Sequence, residues 1–235
     1  MEIQKENIQA VKVPIVFLPV YEDLLSLKEV IESLFETTSV PFELLIIESG
    51  SKDGAKEYCD LLPKLYPHRK IEIIHTEKEG ALKAYNQAFK ISAKREQDIY
   101  MTQTDAIHFK FKNDWLLELI KYRYTFKDTG CVVMGNSWGV CQGRYIEGMR
   151  WPGFWGIYIP FETCKEMGGF DESYEIGDAV DIDWGYRLYL KGLKVYTANC
   201  FNDHHHQTAH VNEQRNDLED IRKRNGELFK RKYNL

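Results

Sequence analysis

The sequence predicts an α/β protein built on a mainly parallel central sheet flanked by helices, and three observations carry that expectation. Short, almost wholly apolar runs recur at 13–20 (VPIVFLPV), 42–48 (FELLIIE) and 71–75. Runs apolar at successive positions suit strands covered on both faces. Each run is followed by a segment whose apolar residues return at helical spacing, and strand–helix alternation implies right-handed crossovers between parallel strands. Finally, 235 residues with 43% apolar composition and 16 Gly suffice for one large core, with no sign of disorder.

Each element has its own signal. Pro14 and Pro19 bracket the first strand. Ser26 and Glu29 have the spacing of a capping box, and Leu27, Val30, Ile31, Leu34 and Phe35 continue as one apolar stripe. After the second strand, SGSKDG makes a turn and a short helix follows until Pro63 stops it. Ala81, Ala84, Tyr85, Ala88 and Phe89 stripe a third helix, and DIYMT at 98–102 is a fourth strand. Between 135 and 169, Trp138, Trp151 and Trp155 lie among many Gly with no clean period before an apolar run at 154–159. Irregular segments of that length are usually functional loops or lids. Asp178 caps a helix that runs to Lys191, where Gly192 supplies the stop, and 212–233 is expected to be a charged surface helix. No linker or internal repeat divides the chain.

Composition excludes several classes. With 31 basic and 36 acidic side chains the formal charge is −5, which offers no footprint for a phosphate backbone, so nucleic acid is not an expected partner. Cys59, Cys131, Cys141, Cys164 and Cys200 are scattered and form no CxxC pair, arguing against a disulfide framework or a four-thiolate zinc site. Glu2, Lys5 and Glu6 occupy the place where a signal peptide needs an apolar stretch, and no window approaches about 18 apolar residues, so a cytoplasmic protein without an integral membrane segment is expected. The carboxyl ends of the expected strands carry Tyr21 and Glu22, Glu48, Thr76 and Glu77, and 103–105. Ligands of such sheets sit beyond those ends. Loop residues are polar in any case, so the residues alone leave open whether this cluster is a nucleotide site.

Four stretches, in this order and at these separations, resemble the inverting family 2 glycosyltransferases of the GT-A fold. VPIVFLPVYE is similar to the family's opening strand ending in Pro-Thr-Tyr-Asn, here Pro19, Val20, Tyr21 and Glu22. ELLIIESGSKDG resembles the strand ending in Asp-Asp-Gly-Ser-x-Asp-Gly, with Glu48 in place of the base-reading acid. YMTQTDAI falls where the family has Asp-x-Asp, with Gln103 replacing the first Asp and Asp105 keeping the second. GGFDESYEIGDAVDIDWGYRLYLKGLKVY resembles the run Gly-Gly-Phe-Asp-Glu, then Glu-Asp-x-Asp, then Arg and Gly, and the closing RNGELFKRKY resembles the ending of many members.

That resemblance implies a single Rossmann-like GT-A domain, with 12–105 as the half that binds a nucleotide sugar, 106–211 as the acceptor and catalytic half, and 212–235 as a C-terminal helix. The implied reaction moves a sugar from a nucleotide diphosphate sugar, UDP-linked by expectation, to a hydroxyl of a carbohydrate or other acceptor. Donor-nucleotide contacts are implied at Pro19, Tyr21, Glu22, Glu48, Ser51, Gln103 and Thr104. The leaving diphosphate needs neutralising, normally by a divalent ion with oxygen ligands, and Mn²⁺ or Mg²⁺ is implied at Asp105 with His204, or else His206, of the cluster His204, His205, His206 and His210. Gln103 brings no charge to a metal, but its amide can bond a ribose hydroxyl.

Asp181 and Asp183 are the catalytic candidates. Two residues apart on one helix, they face different ways and cannot share one role. The family pattern selects Asp181 as the base. Asp183 is left to position a loop or to pair with Arg187 at i+4, and acids in a first turn also favour the helix dipole with no catalytic duty. Any of Trp138, Trp151 and Trp155 can stack on a sugar, although large aromatics are more often core. Two rivals differ in class. A sugar-phosphate nucleotidyltransferase would carry a Gly-rich, Arg-containing loop after the first strand, and PVYEDLL has no Gly. A nucleotide-sugar-binding protein without turnover is consistent with Gln103 and Glu48.

Overall fold

The computed structural model describes residues 12–104, 114–134, 152, 154, 156–175, 179–198 and 216–235. In chain order the elements are β1 (Ile15–Val20), α1 (Leu24–Thr37), β2 (Glu43–Glu48), α2 (Ala55–Leu65), β3 (Lys70–His75), α3 (Ala81–Arg95), β4 (Ile99–Thr102), α4 (Trp115–Thr125), β5 (Thr129–Met134), β6 (Gly156–Ile159), α5 (Phe161–Met167), α6 (Val180–Leu190), β7 (Lys194–Ala198) and α7 (Leu218–Tyr233).

The strands form one seven-stranded sheet in the order β3-β2-β1-β4-β6-β5-β7. Pairing is parallel throughout except at β6, which runs antiparallel to both β4 and β5. The alternation of side chains along each strand sorts the core into two layers. Val16, Leu18 and Val20 of β1, with Leu44, Ile46 and Tyr100, pack under α1, α2 and α4. Ile15 and Phe17, with Leu45, Ile47, Ile99, Met101, Ile157 and Ile159, pack against α3, α5, α6 and α7. The doubly apolar strands are therefore covered on both faces, as their composition requires.

Helix placement follows the direction of growth of the sheet. Chain order runs outward from β1 to β2 to β3 with α1 and α2 on one face; it then returns past β1 to β4 with α3 on the other. The reversal puts a topological switch point between β1 and β4, and open α/β sheets bind ligands beyond the carboxyl ends of the strands at such points.

Several boundaries differ from the sequence expectation. α1 starts at Leu24, ahead of the Ser26 capping box, because its first amide is bonded from outside the helix. Asp53 of the SGSKDG turn accepts the Leu24 N–H on Oδ2 at 2.8 Å and the Ala55 N–H on Oδ1 at 3.0 Å, so one carboxylate serves the first amides of both α1 and α2. α2 does not stop at Pro63 but continues to Leu65, since a proline in the last turn removes only its own amide and Tyr66 N–H still closes on the Leu62 carbonyl. α6 begins at Val180 behind Ala179, which has φ 70°, and Asp178 lies outside the described residues. α7 is more than a solvated helix, because Ile221, Asn225 and Phe229 are buried against the rest of the chain. Cys59, Cys131 and Cys164 are buried free thiols.

The double cap yields a stability test. Asp53→Ala should lower unfolding free energy by about 1–2 kcal/mol, the usual worth of a helix cap, as read from denaturant melts. A change within experimental error would mean that water replaces the carboxylate at both helix ends.

Candidate functional site

The switch point is lined by short backbone exits locked to one another. Ser49 N–H bonds the Val20 carbonyl at 3.0 Å, and Thr76 N–H bonds the Glu48 carbonyl at 2.8 Å, so β1, β2 and β3 stay paired to their last residues. Beyond them the β1 exit bends at Glu22, which has φ 47°, a conformation uncommon for residues other than Gly. Glu22 N–H donates to Ser51 Oγ at 3.0 Å, which fixes that bend to the β2 turn. Tyr21 stands out of the β1 end, and Lys78 from the segment after β3 donates to its hydroxyl and covers its ring at 4.4 Å from the centroid. On the other side of the switch point, Thr102 ends β4, Thr104 is buried and Gln103 is half-buried. Gly50 has φ 74°, and a Cβ there would stand 3.6 Å from the Lys78 amide and the Thr76 carbonyl, so the turn lies close over the β3 exit.

Glu48 is fully buried and its carboxylate turns inward. Oε1 accepts the Ser51 N–H at 2.5 Å and Oε2 lies 2.9 Å from His75 Nδ1. Burial pushes this carboxyl up, but the Ser51 amide and His75 more than reverse the effect and hold it below its ordinary value.

A second constellation surrounds the start of α6. Asp181 in its first turn is half-buried, and its Oδ1 accepts the Ile182 N–H at 2.8 Å. Asp183, two residues on, is fully buried. Its Oδ1 accepts from Tyr174 Oη at 3.0 Å, Tyr233 Oη at 2.8 Å and Lys232 Nζ at 2.6 Å, and Oδ2 accepts from Arg187 Nε at 3.0 Å. The Arg187 guanidinium continues to the carbonyls of Met167 at 2.6 Å and Gly169 at 2.7 Å. Asn86 on α3 completes the grip on the Gly-Gly-Phe-Asp-Glu loop, accepting the Phe170 N–H at 2.6 Å and donating to the Phe170 carbonyl at 3.1 Å and to Glu172 at 2.7 Å. A Cβ on Gly169 would meet Asn86 Oδ1 at 2.1 Å, so only glycine fits there.

The sequence pattern of glycosyl transferase family 2 matches residues 15–180, which takes in both the switch point and the loop before α6. The chain belongs to glycosyl transferase family 2.

Its similarity to a glycosyltransferase of Rickettsia felis is 28% identity over 152 residues, covering 63% of this chain and 24% of the relative, so the chain spans about a quarter of that protein's length. Among solved structures, a mannosyltransferase from Pyrobaculum calidifontis, in complex with GDP-Man and Mn²⁺, superposes with a TM-score of 0.61 at 16% identity, over 81% of this chain and 57% of the other. Glucosyl-3-phosphoglycerate synthase from Mycobacterium tuberculosis, with Mn²⁺, UDP and glucosyl-3-phosphoglycerate, superposes with a TM-score of 0.58 at 14% identity, over 94% and 79%. GalNAc-T7, with UDP, GalNAc and Mn²⁺, gives 0.63 at 15% identity, over 82% and 43%. At such identities these likenesses establish a shared fold, and the fold is GT-A.

Within this family 2 frame, the structure brings Tyr21, Glu22, Ser51, Gln103 and Thr104 to the ends of neighbouring strands, with Pro19 inside β1 and Glu48 beneath the turn. Asp183 pairs with Arg187 as its i+4 spacing suggests. Asp105, His204, His205, His206, His210, Trp138, Trp151 and Trp155 lie outside the described residues. Among the described residues no group of three or more His, Cys, Asp or Glu is placed to hold a metal ion, and no helix is long and apolar enough to cross a membrane. Sequence reasoning missed Asn86, Asp53, His75 and Lys232. Asn86 left a trace as a polar residue beside the apolar stripe of α3, and Asp53 as an acid just before a helix; Lys232 looked like one more solvated charge.

Lys232 also bonds Asp171 at 2.7 Å. Burial pushes the Asp171 carboxyl up, but hydrogen bonds from Lys232 and Ser173 outweigh it and hold it at about 2. A carboxyl depressed in the folded state contributes stability that is complete above its unfolded value of about 4 and is lost as pH falls toward 2. Stability should therefore fall across that window, and Lys232→Met should flatten the fall, as read from melting temperatures at stepped pH. An unchanged slope in the variant would remove Lys232 as its cause.

Proposed function

We propose that this chain transfers a sugar, with inversion, from a nucleotide diphosphate sugar to an acceptor hydroxyl. One observation carries the reading. The family 2 sequence places its polar strand-end residues at the β1/β4 switch point, where open α/β sheets bind ligands. In this reading 12–105 forms the donor half and 106–211 the acceptor half, with 212–235 as a C-terminal helix whose α7 packs on the acceptor half. The nucleotide lies over the exits of β1, β2 and β4. Tyr21 offers a ring face, Gln103 an amide for a ribose hydroxyl, and Glu22, Ser51 and Thr104 shape the floor. UDP is the nucleotide proposed, because the mycobacterial synthase and GalNAc-T7 are both seen with it. The mannosyltransferase with GDP-Man makes GDP the alternative to test.

Asp105 with His204 or His206 would hold Mn²⁺ or Mg²⁺, an oxygen and imidazole donor set suited to Mn²⁺ in particular. Bound there, the ion would neutralise charge on the leaving diphosphate. Asp181 is the group proposed to take the acceptor proton as the acceptor oxygen bonds the anomeric carbon and the bond to the diphosphate breaks on the opposite face. The geometry favours Asp181 over Asp183, since Asp183 is fully buried with both oxygens engaged by side-chain donors, and a base must reach a substrate proton. Asp183 then acts as a positioning residue, joining α6, α7 and the 168–172 loop.

Asp181→Asn should keep UDP affinity and melting temperature while transfer falls by roughly a hundredfold or more. Asp183→Asn should instead lower the melting temperature markedly, because removing one partner of a buried charge cluster costs about 3–5 kcal/mol. A normal melt with abolished transfer in Asp183→Asn, beside an active Asp181→Asn, would reverse the two roles.

For the ion, UDP should raise the melting temperature and Mn²⁺ should enlarge the rise, since a native-state ligand stabilises by mass action. Asp105→Asn should remove the Mn²⁺ increment alone, and a variant that keeps it would shift the metal away from Asp105. Gln103, which brings no charge where the family has Asp, favours a second reading as a nucleotide-sugar-binding protein without turnover. Hydrolysis of UDP-sugars with added Mn²⁺ decides between the two.

A further inference from the structure

A hydrogen-bond chain below the donor site is used by none of the steps above. β2 and β3 are in register at Glu48 and His75, so these side chains leave the sheet together on the face covered by α2. His75 Nδ1 lies 2.9 Å from Glu48 Oε2, and His75 Nε2 lies 2.9 Å from Asp60 Oδ1 of α2. Ionised carboxylates only accept, so an imidazole set between two of them satisfies both only with a proton on each nitrogen, which is the charged ring. The chain runs on through Glu48 Oε1 to the Ser51 N–H, and through Ser51 Oγ to the N–H of Glu22, whose left-handed backbone needs such support. One continuous path thus links α2 to the β1 exit across three strands' ends.

We propose that the charged form of His75 is a positioning residue for the donor nucleotide, clamping Glu48 so that Ser51 and Glu22 hold the β1 and β2 exits in their binding geometry. The inference rests on the reading that those exits bind a nucleoside diphosphate. It makes Glu48 an internal strut that acts on the nucleotide through the turn above it.

The groups that face the imidazole fix the sign. Glu48 comes from β2 and Asp60 from α2, and Lys56 of α2 stands 3.7 Å from Asp60. The Cys59 thiol of α2, near both acids, is pushed up to about 12 by burial and stays neutral. The hydrogen bond to Glu48 raises His75 above its ordinary value, burial opposes it, and Asp60 adds to the rise. The charged clamp is therefore complete below the unfolded value of about 6.5 and is lost as pH rises through the raised folded value.

The test is calorimetric titration of the full chain with UDP, and with GDP, CDP and dTDP, from pH 7 upward, above the range in which a phosphate titrates at about 6. Affinity for the tightest-binding nucleotide should weaken about three- to tenfold as His75 loses its proton, the net scale of one ordinary hydrogen bond, because the clamp acts on the nucleotide only through the turn. His75→Gln should bind at the weakened level and show a flat profile. Asp60→Asn leaves Glu48 and the buried chain in place but removes one acid, so its profile should keep its shape with a midpoint at lower pH; this variant decides the matter should His75→Gln not fold. A purely architectural contact would not move a binding midpoint. Binding by the native chain that ignores pH, or the same profile in His75→Gln, overturns the clamp while leaving the donor site standing. Binding of none of the four nucleotides overturns the donor site and the clamp with it.

Discussion

The pairing of β1 on both edges with parallel neighbours is the constraint from which the rest of the molecule follows. A strand with β2 on one side and β4 on the other has no free edge and, with helices above and below, no free face, so every side chain from Ile15 to Leu18 is fully buried. Such a strand has only its carboxyl end left to meet a ligand. The helices α1 and α2 crowd one face because the sheet first grows toward β3, and α3 must take the other because it then grows toward β4. The switch point at the carboxyl ends of β1 and β4 is the seam where the two directions part, and the polar residues of the candidate site are those at which the paired strands run out.

The other half of the chain solves a different problem. β6 and β4 are short, and the loop at 168–172 anchors itself in the core by one apolar side chain, Phe170, packed on Tyr85, Phe89 and Phe154. It is held also by side chains reaching from well-packed helices, Asn86 from α3 and Arg187 from α6, each bonding its main-chain groups. Arg187 in turn needs an anion, and Asp183 supplies it while also receiving Tyr174, Tyr233 and Lys232. A buried carboxylate with so many donors is a poor source of net stability but fixes one arrangement of three elements, since any other would strand a charge.

Most of the sheet half was legible in the sequence because its physics is periodic. Apolar runs of strand length, separated by striped helices, determine which faces are buried, and in a parallel array that in turn determines which ends are free. What periodicity does not contain is partner identity. Nothing local to Asp53 says that it also serves the Leu24 amide across 29 residues, and nothing in the charged run of α7 singles out Lys232 from its neighbours. The antiparallel insertion of β6 was equally hidden, since four apolar residues look alike in either direction. Asp181 and Asp183 show both sides of the matter: their spacing said that they must face different ways, and only the fold shows which one faces Tyr174, Lys232 and Tyr233.

Two departures from the family pattern, Glu48 and Gln103, become intelligible together. A buried acid at the end of β2 cannot read a base, yet a longer acid there can reach both the turn above and a histidine on the next strand, and Glu48 does both. Its carboxylate braces the Ser51 turn from beneath. In the proposed reading, recognition falls to what the strut holds up, the Tyr21–Glu22 exit and the Ser51 turn. On the other side of the seam, Gln103 at the β4 exit keeps hydrogen-bonding capacity without charge where the pattern has an acid. A neutral side chain at Gln103 and a fully engaged carboxylate at Glu48 fit the proposed reading, in which the charge of a bound diphosphate is met by the cation that accompanies it.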